Sequence, residues 1–137
     1  MSDVTNVTHN GQTYALFFSK NMTTDSIQFL TEDEDAFQVG LMEREEGYTV
    51  EPHQHTERPI ELSTVSEFIY VEKGKVKVTV FDEEWNELDQ HELSGGDSLL
   101  FLRGGHSLEV LEAARMIEVK QGPYPGEENA KIFQSKS

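Results

Sequence analysis

Two histidines spaced two residues apart, His53 and His55, are the first side chains in this sequence whose arrangement could support chemistry. If their segment is a β-strand, both imidazoles leave the same face of it, because strand side chains alternate between faces. Neutral imidazole is a common ligand of zinc, iron, copper and nickel. The pair therefore supplies half of a candidate metal site, although two exposed polar positions on a strand would give the same pattern.

A carboxylate and a third imidazole occupy comparable positions farther along the chain. Glu67 opens an apolar run that ends in the turn signal Glu72-Lys-Gly, and His106 follows a Gly-Gly pair at the start of another apolar run. Carboxylate oxygen and imidazole nitrogen both bind borderline divalent metals. We therefore predict a metal site formed by His53, His55, Glu67 and His106, which uses three of the five histidines in the sequence.

The segments that must position these side chains carry strand signals and almost no helix signals. Apolar segments recur roughly every eight to twelve residues between turn sequences, which predicts an all-β sandwich or barrel. One hairpin is predicted to turn at Asn10-Gly11, and another around Lys73-Gly74 is predicted to join strands at residues 67–71 and 75–81. The remaining predicted strands lie at 14–18, 27–30, 37–44, 49–55, 87–93, 98–102, 106–111 and 116–120, with a turn at 112–115 and a loop at 56–66.

Composition excludes several classes of function. The 137-residue chain has a formal charge of −15, from 26 acidic and 11 basic residues, and this charge would repel a nucleic-acid backbone. The absence of cysteine excludes disulfides, thiolate ligands and thiol nucleophiles. The N-terminal residues have no basic flank and no apolar core, so we expect no secretory signal, and no apolar run is long enough for a membrane helix. We expect a cytoplasmic protein that binds neither nucleic acid nor membranes.

The spacing of these residues resembles the first motif of the cupin family. That motif runs Gly, five residues, His-X-His, three or four residues, Glu, six residues, Gly. Gly47 and the two histidines match its opening, and Glu67 with Gly74 matches its close. The middle departs from the family, because eleven residues separate His55 from Glu67. Glu61 lies nearer the usual spacing but lacks the following glycine, so we assign Glu67 as the ligand and residues 56–66 as an inserted loop.

The second cupin motif, which begins Gly, five residues, Pro-X-Gly, two residues, His, is matched less fully. The segment from Gly96 to His106 resembles it, with Leu102 in place of proline and one residue fewer before the histidine. The resemblance covers roughly residues 13–133 and extends to small single-domain cupins, some of which accompany sugar-nucleotide or surface-polysaccharide genes. It implies a double-stranded β-helix, the cupin jelly-roll barrel. A single domain over 1–137 is expected, with an N-terminal hairpin at 4–18, a core at about 37–120 and an irregular segment at 121–137.

In such a fold the four predicted ligands would converge on one divalent transition metal, Fe, Mn, Ni, Zn or Cu, and leave positions open for a small-molecule ligand. We expect a metal-dependent oxygenase, isomerase or lyase acting on a small polar molecule. A non-catalytic cupin that binds metal or sugar, and a metal-free sugar-nucleotide epimerase, are the alternatives. Arg44, Glu61 and Arg103 are the candidate substrate-binding residues. We also expect a homodimer that uses the N-terminal hairpin or the side of the barrel near Trp85, and His9 and His91 are interpreted as solvent-exposed.

Overall fold

The computed structural model of the protein describes residues 3–134 and is mostly β, with 47% of these residues in strands and 3% in a helix. This confirms the all-β prediction. None of the helices in the described range is long and apolar enough to span a membrane. The elements are β1 Val4–His9, β2 Gln12–Phe18, β3 Ile27–Phe29, β4 Gly40–Met42, β5 Glu67–Phe81, β6 Glu87–Ser94, β7 Ser98–Phe101, β8 Gly105–Lys120 and α1 Glu127–Ala130.

Six of the strands form one curled antiparallel sheet that makes a half-barrel. Its order is β1-β2-β7-β5-β6, and β8 pairs with the other edge of β5. The long strand β5 organises the sheet because its first residues pair with β7 and its last residues pair with β6, while β8 follows it from Glu67 to Phe81. Strands β3 and β4 form a separate two-stranded sheet.

The main core lies on the sheet face that carries Val76, Val78 and Val80, which we call the inner face. All three valines are fully buried, as their alternation with Lys75 and Lys77 predicts. The buried residues that pack with them come from five further strands or strand segments: Val7, Tyr14, Ala15, Phe17, Ile69, Val71, Leu93, Leu99 and Phe101. A second cluster on the opposite face contains Leu16, Phe18, Leu100 and Leu102, and side chains from the segment 22–39 pack against it.

The predicted Asn10-Gly11 hairpin is confirmed, because β1 and β2 pair on either side of it and both turn residues have positive φ. The predicted hairpin around Lys73-Gly74 is wrong. Residues 67–81 form one continuous strand because both halves pair with β8, with register shifts between Val71 and Val76. Gly74 has φ 92°, and a Cβ there would lie 2.3 Å from the carbonyl oxygen of Ala113. The glycine thus permits a close approach of two strands rather than a reversal of the chain.

The predicted turn at 112–115 is also wrong, since β8 runs without interruption from Gly105 to Lys120. Around residues 112–115 its pairing with β5 shifts in register, but the strand continues. Before β5, the predicted strand 37–44 is reduced to Gly40–Met42, and the predicted strand 49–55 is not formed. The described residues 43–66 contain no strand and are almost entirely exposed. Apart from α1, the C-terminal segment is irregular, as predicted, up to residue 134, and the rest of that prediction lies outside the described residues.

Candidate metal centre

Glu67 is the first residue of β5 and lies on the inner face of the sheet. It shares that face with Ile69, which is buried in the main core, because side chains two residues apart on a strand point the same way. Its register partners are Phe101 on β7 and Lys120 on β8. The Glu67 side chain is 16% exposed, so the carboxylate lies at the border between the apolar core and solvent.

His106 reaches the same place from the start of β8. It pairs with Val80, so its imidazole also lies on the inner face. The imidazole stacks on the ring of Phe101 with a centroid distance of 3.7 Å and an interplanar angle of 9°. Its Nε2 atom is 3.5 Å from Oε2 of Glu67. The fold therefore brings together two of the four predicted ligands.

Gly104 and Gly105 determine the geometry of the turn that precedes His106. Gly104 has φ 75°, and a Cβ there would lie 2.3 Å from the carbonyl oxygen of Phe81. A Cβ on Gly105 would lie 2.7 Å from the ring of Trp85. Because neither position has room for a side chain, the turn packs directly on the end of β5 and starts β8 at a fixed position.

The electrostatic surroundings of Glu67 favour its ionised form. Burial of the carboxyl group raises its pKa, but hydrogen bonding to His106 and Glu118, together with the charges of His106 and Lys120, lowers the pKa to about 2. A carboxylate must be deprotonated to bind a metal, so Glu67 is in the required state at neutral pH.

Sequence reasoning did not identify Glu118 as a neighbour of this site. Glu118 pairs with Ile69 in register, and Lys120 pairs with Glu67, so both lie on the inner face. The Lys120 Nζ atom is 3.2 Å from Oε1 of Glu118, and this hydrogen bond is the main reason why the pKa of Lys120 is raised. The signal in the sequence was the alternation Glu118-Val-Lys120, which could be interpreted only once the register with β5 was known.

His53 and His55 lie in the irregular segment before β5, where both side chains are exposed. Their rings are 5.3 Å apart, and the Nδ1 atom of His53 is 2.8 Å from the carbonyl oxygen of Glu51. Across residues 3–134, no three or more histidine, aspartate or glutamate side chains are grouped as they would be around a metal ion. The structure thus pairs Glu67 with His106 and leaves the His-X-His pair apart from them.

The three candidate substrate-binding residues lie in different surroundings. The guanidinium of Arg44 donates a hydrogen bond to Oγ of Ser26 and lies 4.3 Å above the ring of Tyr48. Glu61 is exposed in the irregular segment. Arg103 lies in the turn before β8, its backbone N–H faces the carbonyl oxygen of Tyr14 at 3.4 Å, and its side chain is half-buried.

The two remaining histidines are more enclosed than the sequence indicated. His9 is only partly exposed and its Nε2 atom lies 3.7 Å from Oδ2 of Asp82. His91 is half-buried, and its ring stacks on Phe17 with a centroid distance of 4.6 Å. The interpretation of His91 as a solvent-exposed histidine is therefore wrong, because its register partner Val78 lies on the inner face.

No protein-family model, curated protein or solved structure matches this chain.

Proposed function

We propose that this protein binds one divalent transition metal through Glu67, His106, His53 and His55. The observation that carries this proposal is the pairing of Glu67 with His106 at the border of the inner face. An ionised carboxylate oxygen and an imidazole nitrogen, held by two neighbouring strands, fit the donor preference of Fe, Mn, Ni, Zn or Cu.

The hydrogen bonding of His53 supports its role as a ligand. The carbonyl oxygen of Glu51 can only accept a hydrogen bond, so the Nδ1 atom of His53 must carry the proton. In the neutral ring this leaves the Nε2 lone pair free. Metal-binding histidines commonly donate their second ring N–H to a carbonyl in this way, which fixes the tautomer and the ring orientation.

The free edge of β8 gives the His-X-His segment a place to dock. Within residues 3–134, β8 pairs with β5 alone, so one edge of a 16-residue strand is unpaired. An unpaired edge of this length is a template for another strand. We infer that residues 47–56 pair with this edge when the metal binds, which would bring His53 and His55 to Glu67 and His106. A double-stranded β-helix, the cupin jelly roll, would result, and metal binding would be coupled to this folding step.

The chemistry proposed for the site is that of a metal-dependent enzyme acting on a small polar molecule, as an oxygenase, isomerase or lyase. A bound metal would supply a Lewis acid and open coordination positions. The residues of the chain would hold it and orient the substrate, with Arg44, Glu61 and Arg103 as candidate substrate contacts. A protein that binds metal or sugar without catalysis would use the same ligands. We also propose a homodimer that uses the N-terminal hairpin or the side of the barrel near Trp85.

A second candidate function, metal-free proton transfer, rests on the same pair of residues. A carboxylate next to an imidazole orients it and stabilises its protonated form, as in many general bases. His106 would then take a proton from the substrate with Glu67 as its partner, which is the arrangement that a metal-free epimerase requires.

Metal analysis separates these two candidates. The protein would be purified without a histidine tag, incubated with Fe²⁺, Mn²⁺, Ni²⁺, Zn²⁺ or Cu²⁺, and analysed by elemental mass spectrometry. About one equivalent of metal that is lost in a His53→Ala, His106→Ala double variant supports the metal site. The matched control is a His9→Ala, His91→Ala double variant, which should still bind about one equivalent of metal. Failure of the wild-type protein to retain any of the five metals would overturn the metal proposal and favour the Glu67–His106 pair as a base.

A further inference from the structure

Trp85, in the turn between β5 and β6, has a backbone conformation that bulky residues rarely adopt. Its φ is 69°, and within residues 3–134 the only other non-glycine residue with positive φ is Asn10, at a hairpin turn where asparagine is common. In a tryptophan this left-handed conformation is strained, and such strain persists only where the surrounding structure imposes it. The contacts of the Trp85 ring indicate what the strained conformation maintains.

The hydrogen bonds of the turn impose this conformation. The backbone N–H of Asp82 donates to the carbonyl oxygen of Asn86 at 3.0 Å, and that of Trp85 donates to the carbonyl oxygen of Asp82 at 3.1 Å. The buried Asp82 carboxylate accepts two further bonds, from the backbone N–H groups of Glu84 and Asn86, each at 2.9 Å. The backbone is thus held on both sides of Trp85, and the turn determines the direction of the ring.

The ring of Trp85 packs on Gly105, the first residue of β8. A Cβ at Gly105 would lie 2.7 Å from Cζ3 of Trp85, and the three atoms nearest to it all belong to this ring. The φ of Gly105 is not positive, so its backbone conformation does not require glycine. The Trp85 ring is therefore what excludes a side chain at position 105. The same ring meets Phe81 edge-on, with a centroid distance of 5.9 Å.

This contact lies on the opposite side of β8 from the imidazole of His106. A Cβ at Gly105 would point away from the His106 side chain, because successive side chains on a strand alternate between faces. On the inner face the imidazole stacks on Phe101 at 3.7 Å, with its Nε2 atom 3.5 Å from Oε2 of Glu67. The start of β8 is therefore enclosed between two aromatic rings, and it cannot move away from Phe101 without displacing the ring of Trp85.

We propose that Trp85 is a positioning residue for His106. Its ring supports the backbone at Gly105, which keeps the imidazole stacked on Phe101 and its Nε2 atom beside the carboxylate of Glu67. Trp85 acts through the backbone of β8 and takes no part in the chemistry. The inference rests on the proposed function and applies to both of its candidates, because His106 is a metal ligand in one and the base in the other. The strained φ of Trp85 is maintained because it directs the ring at Gly105.

NMR spectra of the metal-free protein test this role, because protons above the face of an aromatic ring are shielded. The stack on Phe101 should move the imidazole C–H resonances of His106 upfield from their positions in the urea-unfolded protein, and His106→Gln identifies them. Trp85→Gly removes the ring and relieves the strain, so it should lose most of this upfield shift. Trp85→Asn should lose it too, since asparagine also tolerates positive φ. Trp85→Phe keeps an aromatic ring and should retain most of the shift.

A general loss of packing is controlled by Phe37→Ala. Phe37 is half-buried, as Trp85 is, but packs against the second cluster on the opposite face, so this variant should keep the upfield shift of His106. The contact itself is tested by Gly105→Ala, whose methyl group would lie 2.7 Å from the Trp85 ring. This substitution should lower the melting temperature of the wild-type protein by several degrees and that of Trp85→Gly by far less.

Three results would overturn the role of Trp85 alone. These are an upfield shift of His106 that survives in both Trp85→Gly and Trp85→Asn, an equal loss of the shift in Phe37→Ala, and a Gly105→Ala substitution that is equally destabilising with and without the Trp85 ring. If the wild-type protein itself shows no upfield shift, His106 does not stack on Phe101. The pairing with Glu67 that carries the proposed function would then fall together with this inference.

Discussion

The imidazole of His106 lies 3.7 Å from the ring of Phe101 in a nearly parallel stack, and its Nε2 atom points to Glu67, the register partner of that same phenylalanine. One buried phenylalanine thus stacks on one of the predicted ligands and is the register partner of the other. The arrangement exists because β7 ends at Phe101 and the Gly104-Gly105 turn returns the chain at once to the inner face. The precision of the site therefore depends on a residue that binds nothing itself.

Replacement of the Phe101 ring should lower the affinity for metal, whereas its effect on the free energy of unfolding should equal that of a control substitution. Phe101→Leu removes the stacking surface that orients His106, so we expect the dissociation constant for Zn²⁺ to rise by about tenfold or more. Phe17→Leu is the matched control, because Phe17 is equally buried and stacks on His91, which is no predicted ligand. Both variants should lose about 1–2 kcal/mol of unfolding free energy. Equal zinc affinities in the two variants, measured by competition with a chelator, would contradict the role of Phe101.

The contact between β5 and β8 at Gly74 predicts a strong effect of one methyl group. In Gly74→Ala the new Cβ would meet Ala113 at 2.3 Å, and the backbone would also be strained at φ 92°. Gly11→Ala would strain the backbone in the same way but would cause no clash, since nothing lies within 4 Å of its Cβ. We expect losses of more than about 3 kcal/mol at Gly74 and about 1–2 kcal/mol at Gly11, measured by urea unfolding. Similar losses at the two positions would contradict the close contact between Gly74 and Ala113.

Acid should remove the stabilisation provided by Asp82. Hydrogen bonds from the Asn86 side chain and backbone, and from the backbone N–H of Glu84, lower the pKa of this carboxyl group below its ordinary value of 3.8. A group with a lowered folded-state pKa stabilises the fold fully above its unfolded-state pKa, and this contribution disappears as the pH falls through the lowered value.

The corresponding variant is Asp82→Asn, which keeps the shape of the side chain but removes its charge. Its melting temperature should lie roughly 3–6 °C below that of the wild-type protein at pH 7. The difference should shrink as the pH is lowered from 4 to 2. Asp33→Asn, at an exposed position, should match the wild-type protein throughout. A constant difference between Asp82→Asn and wild type at all pH values would exclude the charge of Asp82 as the cause.

The parts of the fold that local patterns determine were predictable from the sequence. Asn10-Gly11 defined a hairpin because both residues adopt positive φ readily, and the alternation from Lys75 to Val80 identified the inner face. The same local reasoning failed at Gly74. A glycine at a turn and a glycine at a close strand contact look alike in sequence, and only pairing with β8 distinguishes them.

The sequence was sufficient to select candidate ligands by residue type, but it did not show which of them the fold brings together. Glu67 and His106 come together because each opens a strand that pairs along β5, a consequence of non-local register. Glu118 was missed for the same reason. The segment with His53 and His55 has a strand-like sequence, yet Pro52 and Pro59 lack backbone donors and the inserted residues 56–66 carry little periodicity, so local preference alone does not hold it in a sheet.

A metal that joins the His53–His55 segment to Glu67 and His106 should protect that segment from hydrogen exchange, and this protection can be measured directly. Exchange in peptides covering residues 47–62 would be followed by mass spectrometry with and without Zn²⁺, in the wild-type protein and in Glu67→Gln. We predict that zinc slows exchange in this segment of the wild-type protein by about tenfold or more, and that Glu67→Gln abolishes the effect. Zinc binding that leaves exchange in residues 47–62 unchanged, or that protects them equally in Glu67→Gln, would contradict the proposal that a metal joins this segment to Glu67 and His106.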